Sequence, residues 1–306
     1  MGTPLVVAPW SQAAFPPIAT ALVVIAAGTA VALALVTRAG RGGAPGPVLW
    51  ARWRTWIVLA TAFVLCVFSG PLPLAVLLFL LAAQGLREWG TLLDLPPRHR
   101  SALLVLAGVA MALAMDGPGA LLGALPLLLL AGMLQPVLGA DVRRGIHDLA
   151  AAVLGFGYLP FLLAFGVLLA GGREDGPALL FATGAAAAAS DIGAYIAGKT
   201  VGRHRLAPAL SPNKTVEGLL GNLLGTGMVV ALLAPWLGSG PLLLVALAAG
   251  VAVAAVLGDL FTSALKREVG VKDAGTILPG FGGVLDRIDS LIVAVPVVYY
   301  LTGVTS

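Results

Sequence analysis

Charge is what this chain has least of. Only 10% of its 306 residues are Asp, Glu, Lys or Arg, against about 25% in ordinary soluble domains. A surface so poor in charge cannot face water, and a soluble globular fold is excluded. Cysteine is nearly absent as well. Cys66 stands alone in an apolar run, which rules out a disulfide framework or a cysteine zinc site and leaves a small apolar side chain in a helix. The three histidines, His99, His147 and His204, are scattered and form no ligand-spaced pair, so an H-E-x-x-H zinc helix is missing too. No basic segment precedes the first apolar run, which therefore reads as a membrane helix rather than a cleaved signal peptide.

What the chain has in abundance is apolar length: 59% of its residues are hydrophobic. A bilayer-spanning helix takes about 20 mostly apolar residues. Cutting at charged or Gly/Pro-rich breaks leaves about ten such stretches, at 15–37, 54–69, 71–87, 101–115, 118–138, 148–170, 178–198, 216–237, 241–265 and 287–303. The shortness of 54–69 and 101–115 leaves nine as the alternative count. The fold class is thus all-α: a polytopic integral membrane protein of about 9–10 transmembrane helices. The 40 glycines and 21 prolines follow no collagen-like or linker-like period, and many sit inside apolar runs, where small residues let helices approach. Segment 41–47 reads as a flexible loop.

The few charges supply an orientation. Of the 18 Lys and Arg residues, all but Arg173 fall in alternate loops. Basic residues concentrate on the cytoplasmic side, so this split places both termini outside the cytoplasm and makes the chain an inner (cell) membrane protein. It also assigns the net charge of +4 to orientation and headgroup attraction, with no role for nucleic acid. Residues 1–175 carry charge only at helix edges and read as a transmembrane scaffold or lipid-facing wall. Residues 176–306 hold the polar groups at membrane depth and form the expected catalytic region.

Ionisable groups inside a membrane are costly and invite a functional reading. They come in three blocks. In the first, Asp191 follows an alanine run two turns inside a helix ending near Lys199, and Tyr195 shares its face at i+4. Asp191 reads either as a packing ion pair or as a functional carboxylate. The second block is Ser211-Pro212-Asn213-Lys214-Thr215-Val216-Glu217-Gly218. Ser before Pro predicts a helix starting at 211–212, and a lysine with hydroxyls at a helix start suits phosphate. Capping alone would account for Ser211 and Pro212 but not for Lys214, Thr215 and Glu217.

The third block starts at Gly258 and sets Asp259, Ser263 and Lys266 on one helix face, with Arg267 following. After Lys272 and Asp273 comes a glycine-rich turn, Pro279-Gly280-Phe281-Gly282-Gly283. Asp286, Arg287 and Asp289 then open the next helix, with the two carboxylates at i and i+3. Glycines there allow a ligand close to the backbone. Carboxylates facing one another suit a hard divalent cation, and Lys and Arg beside them suit phosphate. The structural alternative is an ion-pair network at a helix junction.

Across these blocks the chain resembles the phosphatidate cytidylyltransferase (CDP-diacylglycerol synthase) family. That family's S-x-x-K-R, K-D, P-G-H-G-G and D-R-x-D signature is matched at Ser263, Lys266, Arg267, Lys272, Asp273, Pro279, Gly280, Gly282, Gly283, Asp286, Arg287 and Asp289. Its D-x-G-A-Y and S-P-x-K-T-x-E-G segments are matched at Asp191, Gly193, Ala194, Tyr195, Ser211, Pro212, Lys214, Thr215, Glu217 and Gly218. The likeness runs over about 185–295, with Phe281 standing where the family has histidine. It implies transfer of a cytidylyl group from CTP to phosphatidic acid, giving CDP-diacylglycerol and pyrophosphate, beside membrane lipids and at the cytoplasmic face. It further implies Mg²⁺, one ion or two, on Asp259, Asp286 and Asp289. Lys266, Arg267, Asp286 and Arg287 would be catalytic. Substrate would be bound by Asp191, Tyr195, Ser211, Asn213, Lys214, Thr215, Glu217, Ser263, Lys272, Gly282 and Gly283. The resemblance and the small-residue-rich helices together point to a homodimer. Two alternatives are a divergent nucleotidyltransferase using another lipid phosphate or nucleotide, and a non-catalytic transporter or lipid-binding protein.

Overall fold

The computed structural model describes residues 4–38, 46–123, 125–126, 142–278 and 282–303. Its elements are helices with one small hairpin. In chain order they are α1 (Phe15–Arg38), α2 (Gly46–Phe68), α3 (Pro71–Leu92), α4 (Pro97–Asp116), α5 (Val142–Phe156), a π-helical turn (Gly157–Phe161), α6 (Leu162–Gly171) and α7 (Gly176–Thr200). The strands β1 (Arg205–Ala207) and β2 (Ser211–Thr215) follow, then α8 (Val216–Leu233), α9 (Pro241–Glu268) and α10 (Leu285–Gly303). Proline sits in the first turn of α3, α4, α7 and α9, where its missing N–H is no loss and its fixed φ favours the helix.

Among the described residues, eight helical stretches are long and apolar enough to cross a bilayer, with α5, the π turn and α6 making one of them. They coincide with eight of the ten expected spans. The expected span at 118–138 lies largely outside the described residues, although 118–123 is helical. The last, 287–303, is α10, which carries Asp286, Arg287 and Asp289 in or beside its first turn. The chain is therefore an all-α polytopic membrane protein. Threonine hydroxyls at depth turn back on their own helices, as Thr183 donates to the Leu179 carbonyl and Thr302 to that of Val298. These hydroxyls thus find partners without water.

One expectation is corrected here. No helix starts at Ser211-Pro212. Residues 211–215 are a strand, paired antiparallel with β1 through Arg205–Thr215 and Ala207–Ser211. The helix opens at Val216, and its N-cap is Thr215, whose hydroxyl accepts from the Gly218 amide at 3.1 Å. Both sites offer a hydroxyl cap, but only Thr215 has its acceptor over a free amide once the hairpin has paired.

Helix packing in lipid gains nothing from burying apolar surface, because the tails are equally apolar; close backbone approach supplies the attraction instead. The α7–α8 seam is built that way. A Cβ placed on Gly221 would run into the Gly193 carbonyl, one on Gly193 into that of Gly221, and one on Gly225 into that of Ala189. Gly258 makes the same approach between α9 and the Asp289 carbonyl of α10. The N-terminal helices join this core directly. Trp89 of α3 is fully buried, donates to the Ala151 carbonyl at 3.0 Å and stacks on Phe261 of α9. The end of α3, the end of α9 and the start of α10 meet on one side of the bundle. The Arg173–Asp175 pair lies against the turn at Gly238 on the other.

Gly221→Val should lower the detergent melting temperature, since overpacking of this kind costs about 1–3 kcal/mol. Gly227→Ala, on the same helix with open space around it, should leave melting unchanged or raise it. Equal melting of the two variants would refute the seam.

Candidate active site

Helix α9 brings the first polar face of the site. Asp259, Ser263 and Lys266 recur at helical spacing, and the Ser263 hydroxyl donates to Asp259 at 3.3 Å. The other Asp259 oxygen is ion-paired with Lys214, which β2 presents from the hairpin. Lys266 extends past the helix end to Asp286 at 2.6 Å. Asp286 Oδ2 accepts the amides of Ala274 at 2.8 Å and Gly283 at 3.3 Å. With 4% of its side chain exposed, Asp286 is a buried carboxylate holding three donors.

Asp191 and Asp289 complete the cluster. Asp191 interacts electrostatically with Asp259, Lys214 and Arg287, and Asp289 with Asp259, Asp191 and Lys266. Asp289 is buried, while Asp191 keeps accessible surface within a crowded setting, as a group lining a cleft does. Three carboxylates from α7, α9 and α10 therefore lie within electrostatic reach of one another, with Lys214, Lys266 and Arg287 in the same neighbourhood. Among the described residues no three His, Cys, Asp or Glu side chains converge closely enough to hold a metal ion by themselves.

Other sequence candidates go elsewhere. Tyr195 is outward and 64% exposed, accepting from Lys199. Asn213 and Lys272 are exposed. Arg267 donates to the Leu210 carbonyl at 3.3 Å, tying α9 to the hairpin. Glu217 accepts the Arg203 amide at 2.9 Å and pairs with His204 Nδ1 at 2.6 Å, which clasps the connector to the start of α8. Thr215 caps that helix, and Ser211 lies in the strand pairing. Gly282 has φ +86, a left-handed conformation natural to glycine, and exchanges two backbone hydrogen bonds with Leu278. Pro279, Gly280 and Phe281 lie outside the described residues.

Two groups escaped the sequence reading. Tyr158, in the π turn beside Pro160, shares a 3.1 Å hydrogen bond with the fully buried Thr262 of α9 and feels Asp259 and Asp289. Pro160 cannot donate to the helix ladder, and a π turn absorbs the irregularity. An intramembrane Tyr-x-Pro was the available signal. The second is Glu88, 5% exposed at the end of α3, which accepts the amides of Val284 at 2.9 Å and Leu285 at 2.8 Å. Its signal was a carboxylate between Arg87 and Trp89, easily taken for ordinary interface punctuation.

The profile of the Cytidylyltransferase family matches residues 50–305, and the chain belongs to that family. It is 34% identical over 266 residues to Uncharacterized protein YnbB of Escherichia coli (strain K12), covering 81% of this chain and 85% of that protein. It is 35% identical over 159 residues to the Phosphatidate cytidylyltransferase of Mycobacterium leprae (strain TN), covering 52% of this chain and 51% of that enzyme. With the Phosphatidate cytidylyltransferase of Bacillus subtilis (strain 168) it shares 44% over 122 residues, or 38% of this chain and 44% of that enzyme. The match thus spans about half the length of these two enzymes.

The two lysine pairs differ in burial, and that difference is measurable. Lys266 and Asp286 side chains are 14% and 4% exposed, against 24% and 31% for Lys214 and Asp259. Removing one partner of a buried pair costs about 3–5 kcal/mol, whereas exposed pairs contribute about 0–1. Lys266→Met should therefore lower the melting temperature clearly more than Lys214→Met. The reverse order would reject this ranking.

Proposed function

We propose that this member of the cytidylyltransferase family transfers a cytidylyl group from CTP to phosphatidic acid, with release of pyrophosphate. The observation that carries the reading is the cluster at one end of α9. Lys214, Lys266 and Arg287 stand among Asp191, Asp259, Asp286 and Asp289, contributed by four separate segments. Phosphoryl and nucleotidyl transfer need this mixture of positioned cations for developing negative charge and hard oxygen donors for a divalent ion. The names of the relatives supply the substrate pair.

In the proposed reaction a phosphate oxygen of the lipid attacks the α-phosphorus of CTP. The bond from that phosphorus to the oxygen bridging the β-phosphate breaks, and its electron pair leaves with pyrophosphate. The nucleophile is already ionised, so no strong base is required. The work of the protein is alignment and neutralisation. Lys214 comes from a strand and Lys266 from a helix end, and Arg287 adds a third cation from α10. Their ammonium and guanidinium groups would hold the phosphates and stabilise charge moving onto the leaving pyrophosphate. Ser263 orients Asp259 through its hydroxyl, and Tyr158 ties the π turn to α9 through Thr262.

The donor chemistry of Asp191, Asp259 and Asp289 fits Mg²⁺. Three mutually repelling carboxylates gain from a divalent cation, and Mg²⁺ is ordinarily held by one or two carboxylates together with substrate phosphates. Asp286 fits less well, since its oxygens are engaged by Lys266 and two amides. We propose Asp259 and Asp289 as the holding pair, with Asp191 beside them; bound there, Mg²⁺ would neutralise the triphosphate. The one-sided distribution of Lys and Arg supports a cytoplasmic site in the cell membrane, where CTP is available.

A second reading, a divergent nucleotidyltransferase with another acceptor or donor, is favoured by Phe281 in the signature turn. The match to YnbB along most of the chain, against partial matches to the named enzymes, favours it as well.

Purified protein in detergent should release pyrophosphate only when CTP, Mg²⁺ and phosphatidic acid are all present. Asp289→Asn should lower turnover by about 100-fold or more while the protein remains folded by size exclusion. Release with a different nucleotide or lipid phosphate would establish the second reading. Wild-type turnover in Asp289→Asn would remove that carboxylate from the site.

A further inference from the structure

Glu88 and the first turn of α10 are 196 positions apart in the chain yet joined by two short hydrogen bonds. Val284 N–H donates to Oε1 at 2.9 Å and Leu285 N–H to Oε2 at 2.8 Å, so the two amides take separate oxygens of one carboxylate. Gln84, one turn earlier on α3, donates to Oε1 at 3.0 Å and fixes the rotamer. The adjoining glycines are shaped around the same group. A Cβ on Gly275 would lie 2.8 Å from Glu88 Oε1, and one on Gly283 would lie 2.6 Å from Oε2. The close backbone approach at Gly283 is therefore an approach to Glu88.

Asp286 finishes the arrangement by accepting the next amide along, that of Gly283, together with that of Ala274. The three consecutive N–H groups of Gly283, Val284 and Leu285, leading into α10, are thus committed to the protein's own carboxylates. A helix N-terminus ordinarily favours an anion, and two of the protein's own carboxylates already lie against the chain entering this one. In the proposed reaction phosphate falls to the side-chain cations, and the start of α10 aims them.

We infer that Glu88 is a positioning residue: its carboxylate locks the first turn of α10 and thereby sets Asp286, Arg287 and Asp289 in their working geometry. A simple helix cap would be satisfied by a local Ser, Thr or Asp. A buried glutamate delivered from a distant helix does more. It ties the N-terminal helices to the signature turn and gives the apolar half of the chain a part in the chemistry. Glutamine is no substitute, because its NH₂ would face one of the two N–H donors.

The inference rests on the proposed transfer reaction only for its kinetic arm, and the deciding measurement is independent of turnover. Amide hydrogen exchange is followed by mass spectrometry on the full chain in detergent, comparing wild type, Glu88→Gln and, as a control on the opposite side of the bundle, Glu174→Gln. Exchange in peptides covering 282–290 should rise about tenfold or more in Glu88→Gln alone, with α2 peptides unchanged. Turnover should fall about tenfold and KM for CTP should rise, since the freed turn also carries Arg287 and Asp289, which the proposed reaction sets on the triphosphate. Adding Asp286→Asn should cost less than the sum of the single effects, as expected for residues acting on one turn. Unchanged exchange at 282–290 overturns the inference, and so does acceleration throughout the protein, which would make Glu88 a residue of the global fold. Absence of pyrophosphate release from the wild type would count against the proposed reaction alone and leave the exchange result to decide the role of Glu88.

Discussion

An ionised group at membrane depth needs a partner, because lipid offers none and desolvation costs several kcal/mol per unpaired charge. In this chain that requirement is met by contacts between segments far apart in sequence. Lys214 of the hairpin answers Asp259 of α9, Lys266 at the end of α9 answers Asp286 of α10, and Glu88 of α3 answers the open amides of α10. Each pairing fixes the relative placement of two elements that apolar packing would leave free to slide. The polar cluster therefore serves as the register of the C-terminal helices as well as the proposed seat of the reaction.

The same pairings describe how the site rests. Before substrate is present, the lysines and carboxylates neutralise one another. In the proposed reaction, phosphates that draw Lys214 and Lys266 toward themselves would leave Asp259 and Asp286 with less positive charge nearby. The amides of Ala274 and Gly283 continue to hold Asp286, whereas Asp259 keeps only the Ser263 hydroxyl among the contacts described. That inequality is why Asp259 is the better candidate for a cation arriving with the nucleotide, and Asp286 the better candidate for an organiser.

Much of this was legible in the sequence, for identifiable reasons. Span lengths follow from bilayer thickness, and eight of the expected spans recur as helices because few charges interrupt them. The Asp259, Ser263, Lys266 face was readable because helical spacing alone creates it, and the Ser263–Asp259 bond confirms it. The start of α8 was misread at Ser211-Pro212 because local capping rules are blind to strand pairing, and β1 engages 211–215 before a helix can begin there. Tyr195 and Asp191 share a helix face, yet the tyrosine points outward to Lys199, since spacing says nothing about which neighbour covers a face. Glu88 left only the faint mark of a carboxylate between Arg87 and Trp89, because its meaning depends on amides nearly two hundred residues away. Phe281, the one departure in the signature turn, falls outside the described residues.

The glycine seam between α7 and α8 has a mechanical consequence. Where two backbones touch through Gly193, Gly221 and Gly225, no flexible side chains lie between them to absorb a change of tilt. The helix bearing Asp191 and the helix that continues directly from the strand bearing Lys214 must then tilt and shift as one rigid body. A bilayer that thickens, thins or changes lateral pressure can move that body as a whole. It cannot easily alter the spacing between those two charges, so their electrostatic relation is insulated from the composition of the surrounding lipid.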